Sequence, residues 1–121
     1  MAVQAAGVAA IESWAEFVPR NVATFKERRD AAAAAFCEAG FQCQLPRAAM
    51  YLWCPLPAAI ASCTFADRLL DEEGVVVLPG SALGSGGEGF FRVSFIKSPE
   101  RLREAAARAG RLLARMQGEL A

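Results

Sequence analysis

The chain has 121 residues, with 13 Lys plus Arg and 13 Asp plus Glu, so its formal net charge at pH 7 is zero. This length corresponds to one domain, and the balanced charge gives no support for binding nucleic-acid phosphates or for a polybasic membrane anchor. Because the sequence contains no histidine, a Ser-His-Asp triad, a Cys-His pair and a histidine zinc site are excluded for this chain.

Residues 2–18 follow the apolar spacing of a helix, which Pro19 is expected to end. This predicted helix is apolar nearly all round, and such a helix is normally buried. We therefore expect a larger body to pack against it. Without that body, the same surface predicts self-association.

A second helix is predicted over residues 22–39, with Asn21 as its N-cap and Gly40 as its C-terminal stop. The residues that follow alternate between apolar and polar, which predicts two strands paired as an antiparallel hairpin. The strands cover residues 41–45 and 50–54, and the turn covers residues 46–49.

The second half of the chain predicts a helix, two strands and a final helix. Thr64 and Asp67 resemble a capping box, and the helix that they open is expected to end at Gly74. Ser98 followed by Pro99 is typical of the start of the last helix. The two strands cover residues 75–78 and 90–95, on either side of a glycine-rich loop, residues 79–89. This order predicts an α+β fold, with a small, mainly antiparallel sheet and the helices packed on one face.

Residues 84–89 match the G-x-G-x-x-G spacing of dinucleotide-binding loops. That motif binds a pyrophosphate where it opens a helix, whereas the residues that follow here predict a strand. The glycines are therefore interpreted as a flexible turn.

Arg92 is the candidate binding residue that the strand pattern singles out. Alternation places it on the face opposite to Phe91 and Val93. Its fork of N–H donors suits a carboxylate held in two parallel hydrogen bonds. The residues alone leave two alternatives open, a solvated arginine on an edge strand and an ion pair with Glu88.

The remaining candidates indicate no catalytic residue. Lys26 and Lys97 are expected to be solvated, since neither lies in the dry or cationic setting that activates a catalytic lysine. Two aromatic pairs are expected to place one ring on each face of their strands. These pairs are Tyr51 with Trp53 and Phe90 with Phe91.

The four cysteines lack C-x-x-C spacing and are interpreted as reduced packing residues; they are Cys37, Cys43, Cys54 and Cys63. No apolar run approaches the roughly 18 residues that a membrane span needs. The first residues also lack the basic start of a secretory signal. We expect a cytoplasmic location, no membrane partner and no metal site.

Several segments, in order and at matching spacing, resemble the C-terminal small domain of class I/II (fold-type I) aminotransferases, which depend on pyridoxal phosphate. Residues 17–30 are similar to the helix that begins this domain. Residues 46–53 are similar to P-x-G/A-x-F-Y-x-W, residues 74–84 to G-V-x-V-x-P-G-x-x-F-G, and residues 89–95 to G-x-x-R-I-S/A. The resemblance covers nearly the whole chain.

The resemblance implies that Arg92 holds the α-carboxylate of an amino-acid substrate. It also implies that Ala48 and Ala49 line the substrate pocket. Two residues depart from the family pattern. Ala48 stands where many members have glycine, as in the subgroup similar to diaminopimelate aminotransferases, and Leu83 stands where phenylalanine is usual.

The same resemblance divides the chain into an interdomain-type helix, residues 1–18, and a small C-terminal domain, residues 19–121. The family's large domain carries the Schiff-base lysine and the phosphate cradle, and neither motif occurs here. The resemblance therefore implies that pyridoxal phosphate belongs to the parent enzyme and does not bind this chain alone. The implied partners are a missing large domain and an amino-acid substrate, and we expect no transaminase activity from the isolated chain.

Two other functions remain open. A free-standing regulatory module could use the Arg92 site to bind an amino acid without any other domain. An interaction domain could instead use the apolar face around Trp14 and Phe17, in which case loss of Arg92 would leave its function intact.

Overall fold

The computed structural model describes residues 1–121. The helices are α1 (Ala2–Glu12), α2 (Trp14–Glu38), α3 (Ser62–Glu73) and α4 (Pro99–Glu119). The strands are β1 (Tyr51–Pro55), β2 (Leu78–Pro79) and β3 (Phe90–Ser94). Two short 3-10 turns cover Gly80–Leu83 and Ser85–Gly87.

Strand β3 lies at the centre of the sheet, which has the order β1-β3-β2 and is antiparallel throughout. Arg92 lies opposite Trp53 on one side and opposite Leu78 on the other. One face of the sheet is covered by the helices and the other is open. The predicted α+β fold, with a small antiparallel sheet and helices on one face, is therefore confirmed.

Phe91 forms the centre of the core, where strand and helix side chains meet. Its ring centroid lies 6.1 Å from that of Phe36 on α2, 5.1 Å from Phe41 and 4.9 Å from Phe65 on α3. Phe36, Phe65 and Phe91 are all fully buried. Burying a side chain of this size stabilises the fold by about 1.5–3 kcal/mol, so this cluster holds the helices on the sheet.

Helix α4 packs closely along α2. Its buried stripe comprises Leu102, Ala106, Ala109, Leu112, Leu113 and Met116. At the closest approach, a Cβ on Gly110 would lie only 2.9 Å from the carbonyl oxygen of Ala39, so only glycine fits there. Helical spacing in the sequence predicts an inner face of Leu102, Ala105, Ala106, Ala109, Leu112, Leu113, Met116 and Leu120. Six of these residues are buried and Ala105 is half-buried, whereas Leu120 is exposed.

The first two helices differ from the prediction. The interruption falls at Ser13, and Pro19 lies inside α2 instead of ending a helix. Asn21 is therefore an interior helical residue and not an N-cap. Proline removes one backbone donor and leaves the carbonyl of Ala15 without its helical partner. This turn is exposed throughout, so water can hydrate that carbonyl and the helix continues.

The predicted hairpin strand at residues 41–45 does not form. Phe41 is buried and Cys43 half-buried, as the alternation predicted, but the backbone of this segment pairs with no strand. The segment is held instead by its buried side chains and by Arg29, whose Nη1 donates to the carbonyl oxygen of Pro46 at 3.3 Å. Alternation therefore predicted the burial of Phe41 and Cys43 correctly, but it was wrong for Leu45, which is exposed, and for the ladder pairing.

The strand predicted over residues 75–78 is reduced to Leu78–Pro79. Gly74 ends α3 in the left-handed region at φ +66°, and the N–H of Val75 donates to the carbonyl oxygen of Leu69. The N–H of this first residue after the glycine thus bonds back to the helix, and pairing with β3 begins only at Leu78. The predicted stops at Gly40 and Gly74 are both confirmed.

Helix α1 and the start of α2 lie outside the core. No residue of α1 is buried. The exposed apolar side chains of this segment are Val3, Val8, Ile11, Trp14, Phe17, Val18 and Val22. None of the helices has the length and apolar character required to cross a membrane.

Candidate functional site

Six residues of β1 and β3 share the open face of the sheet: Tyr51, Trp53, Pro55, Phe90, Arg92 and Ser94. The predicted alternation of β3 is confirmed, because Phe91 and Val93 point into the core. The prediction of one aromatic ring on each face holds for Phe90 and Phe91. It is wrong for Tyr51 and Trp53, which are two residues apart and therefore lie on the same face.

The Arg92 side chain stacks on an aromatic ring and has no anionic partner. Its guanidinium carbon Cζ lies 4.1 Å from the ring centroid of Tyr51. The guanidinium forms no hydrogen bond or ion pair within the chain, and no polar side-chain atom without a partner is buried. The N–H donors of Arg92 are therefore accessible. Stacking on a ring fixes the guanidinium plane while leaving its N–H edges free for a ligand.

Glu88 is not the partner of Arg92, so that alternative is wrong. Its Oε1 accepts a hydrogen bond of 2.7 Å from the backbone N–H of Ser62, and its Oε2 accepts one of 2.9 Å from the Ser62 hydroxyl. These bonds, the one to the backbone N–H first, lower the pKa of the Glu88 carboxyl. Glu88 therefore caps helix α3, which begins at Ser62, so the predicted capping box of Thr64 and Asp67 is wrong.

An aromatic stack forms one wall of the open face. The rings of Trp53 and Phe90 lie 5.4 Å apart between centroids and only 15° from parallel. With Tyr51 they border a groove of about 540 Å³. The other lining residues are Gln42, Gln44, Leu45, Pro46, Arg47 and Pro55. Arg92 lies at the margin of this groove, because it stacks on Tyr51.

Ala48 and Ala49 line a different groove, of about 400 Å³, against helix α2. Arg47 lines both grooves and so connects them. Ala49 is the only residue other than glycine with a positive φ, +67°. Left-handed backbone is costly for a residue with a Cβ and is often found at functional sites. Met50 fixes this turn to the end of β3, since its carbonyl oxygen accepts from the N–H of Phe95.

Both lysines are exposed, as predicted. Lys26 forms an ion pair of 2.9 Å with Asp30, one helical turn away. Lys97 is exposed in the loop between β3 and α4. No group of three His, Cys, Asp or Glu side chains has the arrangement of a metal site. The glycines at residues 84–89 lead into the strand β3, as predicted, and not into a helix.

The four cysteines differ from one another. Cys54 is fully buried and Cys43 half-buried, which agrees with their interpretation as packing residues. That interpretation is wrong for Cys37 and Cys63, which are exposed.

Three features of the site were not predicted from the sequence. The stacking of Arg92 on Tyr51 could have been predicted from the strand register, because long side chains reach their diagonal neighbours across an antiparallel pair. The Glu88 cap had no local signal, since it joins residues 26 positions apart. No local sequence pattern predicts the positive φ of Ala49 either.

Comparison with known proteins agrees with this fold. The family model described as "Aminotransferase class I and II" matches residues 1–108. The LL-diaminopimelate aminotransferase of Nitratidesulfovibrio vulgaris (strain DP4) is 40% identical over 111 residues, which are 92% of this chain and 29% of that protein. The chain therefore spans less than a third of the length of such relatives.

Solved structures give the same result. The aromatic aminotransferase from Pyrococcus horikoshii OT3 superimposes with a TM-score of 0.80 and 31% identity, over 88% of this chain and 28% of that one. LysN, the α-aminoadipate aminotransferase from Thermus thermophilus, was solved with N-(5'-phosphopyridoxyl)-L-leucine. It superimposes with a TM-score of 0.82 and 25% identity, over 91% of this chain and 30% of that one. The chain belongs to the class I and II aminotransferase family.

Proposed function

We propose that this chain is the small C-terminal domain of a pyridoxal-phosphate-dependent aminotransferase, in which Arg92 holds the α-carboxylate of the amino-acid substrate. The observation that carries the proposal is the unpaired guanidinium of Arg92, stacked on Tyr51 on the open face of the sheet. A structural arginine in this position would be expected to pair with an acid. The nearest acid along the chain, Glu88, is instead committed to Ser62.

The geometry of the open face favours a carboxylate ligand. A guanidinium and a carboxylate form two parallel N–H···O bonds when their planes align, and such bonds are stronger than those between neutral groups. Tyr51 holds one plane in place before the ligand arrives, which reduces the entropy lost on binding. The stacked rings of Trp53 and Phe90 make one side of the site apolar, which would reduce the hydration of a bound carboxylate. A less hydrated site strengthens the ion pair.

We propose that pyridoxal phosphate, which acts as an electron sink in amino-group transfer, is held by residues outside this chain. Both lysines are exposed, and neither lines the groove bordered by Tyr51, Trp53 and Phe90. The glycine-rich turn lacks the helix that would present amide groups to a phosphate. We therefore assign the cofactor and the catalytic lysine to a large domain of the same enzyme, and the carboxylate clamp to this domain.

The exposed apolar segment gives this large domain a place to bind. Trp14 and Phe17 are each more than half exposed, and no residue of α1 is buried. Large apolar patches of this kind mark interfaces. We propose that residues 1–18 lie against the large domain, and that the isolated chain has no transaminase activity.

The names of the relatives suggest the substrate class. The relatives similar to this chain over 92% of its length are LL-diaminopimelate aminotransferases. We propose an amino donor of the diaminopimelate type for the enzyme that contains this chain.

The proposal is tested by replacing Arg92 in the full-length enzyme. Arg92→Gln is expected to lower kcat/KM for the amino donor about 100-fold, because two charge-assisted hydrogen bonds are lost. Arg92→Lys is expected to recover part of this loss. Arg103→Gln, which removes an exposed arginine of α4, is the matched control. Equal activity of Arg92→Gln and the control would reject the assigned role.

Two measurements distinguish an aminotransferase domain from the alternative of a free-standing binding module. An antibody against this chain, used on a lysate of the source cells, is expected to detect a protein several times longer than 121 residues. Calorimetry of the isolated chain with a panel of amino acids is expected to show no binding. A band at the length of this chain, together with amino-acid binding that Arg92→Ala abolishes, would favour the regulatory module.

A further inference from the structure

Two cysteine side chains come into close contact beside the groove. The Sγ atoms of Cys43 and Cys54 lie 2.7 Å apart. A disulfide bond is about 2.05 Å long, so a further approach of about 0.7 Å would bring the two atoms to bonding distance. Cys54 is held on the buried face of β1. Cys43 lies in the segment before β1, which has no ladder pairing and can therefore move towards it.

The two thiols are suited to different steps of an oxidation. Cys43 is half-buried, whereas Cys54 is fully buried. When Cys43 ionises, the Cys54 S–H can donate to the thiolate, and this hydrogen bond lowers the pKa of the Cys43 thiol. The same contact, together with burial, raises the pKa of Cys54. Because the accessible thiolate is the form that oxidants attack, Cys43 reacts first and Cys54 second.

We propose that Cys43 and Cys54 form a reversible disulfide when the protein meets a peroxide oxidant. The Cys43 thiolate sulfur attacks one oxygen of hydrogen peroxide, the O–O bond breaks, and hydroxide leaves and takes up a proton as water. The Cys54 sulfur then attacks the sulfenic acid on Cys43. The S–O bond breaks, a second water leaves, and the S–S bond forms. Two thiols are oxidised to one disulfide, and one peroxide is reduced to two waters.

The disulfide would close a loop over the wall of the groove. The ten residues between the two cysteines include Arg47, Ala49 and Tyr51. In the reduced protein the side chain of Arg29 holds this segment through the carbonyl of Pro46. A covalent closure restricts the unfolded chain and stabilises the fold. Oxidation would therefore stiffen the segment that carries the platform for Arg92. The formation of the bond does not depend on the proposed aminotransferase function.

The other two cysteines provide a matched control. Cys37 reaches only the backbone carbonyl of Cys43, at 3.5 Å, and Cys63 lies beside the hydroxyl of Ser81. Neither is in contact with the sulfur of Cys54. The double variant Cys37→Ser, Cys63→Ser therefore keeps the proposed pair and nothing else. Trypsin cuts this variant into residues 30–47 and 48–68, with one cysteine in each.

The experiment exposes the 121-residue protein and the double variant to hydrogen peroxide, blocks free thiols by alkylation, and maps peptides by mass spectrometry. We expect the two tryptic peptides to be joined in both proteins, with loss of two hydrogens, and to separate after reduction with dithiothreitol. The oxidised double variant is expected to melt at a higher temperature than the reduced one. Cys43→Ser in the double-variant background should abolish both the link and the shift in melting temperature.

Three outcomes would overturn the proposal. The double variant could keep both thiols free after treatment, it could accumulate sulfinic acid on Cys43 without a link, or it could link only between molecules. Denaturing gel electrophoresis without a reducing agent, run before digestion, distinguishes a link between molecules from a link within one.

Discussion

The carboxylate of Glu88 accepts a hydrogen bond of 2.7 Å from the backbone N–H of Ser62, although 26 residues separate them in the sequence. Ser62 is fully buried at the start of α3, and its hydroxyl oxygen, whose proton is donated to Glu88, accepts from the Ser81 hydroxyl at 2.8 Å. A negative charge at a helix N-terminus is favourable, because the free N–H groups there carry partial positive charge. One side chain from the glycine-rich turn thus fixes α3 against β3.

Glu88→Gln is expected to destabilise the fold. Glutamine keeps an oxygen that can accept from Ser62 but loses the negative charge, and its amide group faces the Ser62 hydroxyl. We expect the melting temperature to fall by a few degrees, on the order seen for the loss of one cap in a domain of this size. Glu27→Gln, at an exposed position on α2, is the control. An equal change in the two variants would show that the cap contributes nothing.

The contribution of Glu88 is expected to depend on pH. Its pKa in the folded protein lies below the ordinary value of 4.5, because Ser62 donates to the charged form. The stabilisation is therefore complete above pH 4.5 and is lost as the pH falls through the lower, folded value. The difference in melting temperature between the wild type and Glu88→Gln should shrink in this acidic range. A difference that stays constant from about pH 7 to about pH 3 would contradict the assigned cause.

Tyr51→Leu is expected to weaken substrate binding in the full-length enzyme. The stack on Arg92 contributes about 0.5–2 kcal/mol where a cation lies over a ring, so KM for the amino donor should rise roughly 2-fold to 30-fold. Tyr51→Phe keeps the ring and should behave like the wild type. A similar rise in both variants would indicate that the hydroxyl, and not the ring, is the group that matters.

Ala49→Gly is expected to stabilise the protein, since alanine is held at φ +67°. Relief of the left-handed conformation gains about 1–2 kcal/mol, and the extra freedom of glycine in the unfolded chain offsets about 0.5–1 kcal/mol. The net gain in the free energy of unfolding is about 0.5–1 kcal/mol by urea denaturation. Ala48→Gly, at the preceding residue with negative φ, should lower stability. If both changes lower it, the backbone of Ala49 is not strained.

Gly87→Ala is expected to destabilise the glycine-rich turn. A Cβ on Gly87 would lie 2.0 Å from the carbonyl oxygen of Gly80, and this backbone cannot yield without moving the turn. Overpacking of this kind costs about 1–3 kcal/mol. Gly86→Ala, one residue earlier with no atom within 4 Å, should change stability by less than about 0.5 kcal/mol. The free energies of unfolding of the two variants are measured by urea denaturation and compared.

Sequence patterns predicted those parts of the fold that depend on neighbours along the chain. The apolar stripe of α4 and the glycine stops at Gly40 and Gly74 follow from helical spacing and from backbone conformations that glycine adopts easily. The inward side of β3 follows from simple alternation. Each of these signals lies within a few residues of the structure that it specifies.

The features that were missed depend on residues far apart in the sequence. Residues 41–45 alternate as a strand does, but a ladder needs a partner edge that no local pattern reveals. The Glu88 cap and the contact of Cys43 with Cys54 appear only when separate segments meet in space. Arg92 could be identified from the residues as a candidate anion ligand. That Arg92 has no acidic partner within the chain follows only from the structure, in which Glu88 binds Ser62.

Helix α2 has 25 residues, which corresponds to a rod of about 37 Å. The break at Ser13, just before this helix, and the missing hydrogen bond at Pro19 within it both lie in exposed chain, whereas the buried residues of the helix begin at Ala32. Flexure at these points breaks no core contact. Residues 1–18 can therefore change their orientation relative to the sheet, while the C-terminal part of the same helix stays packed in the core.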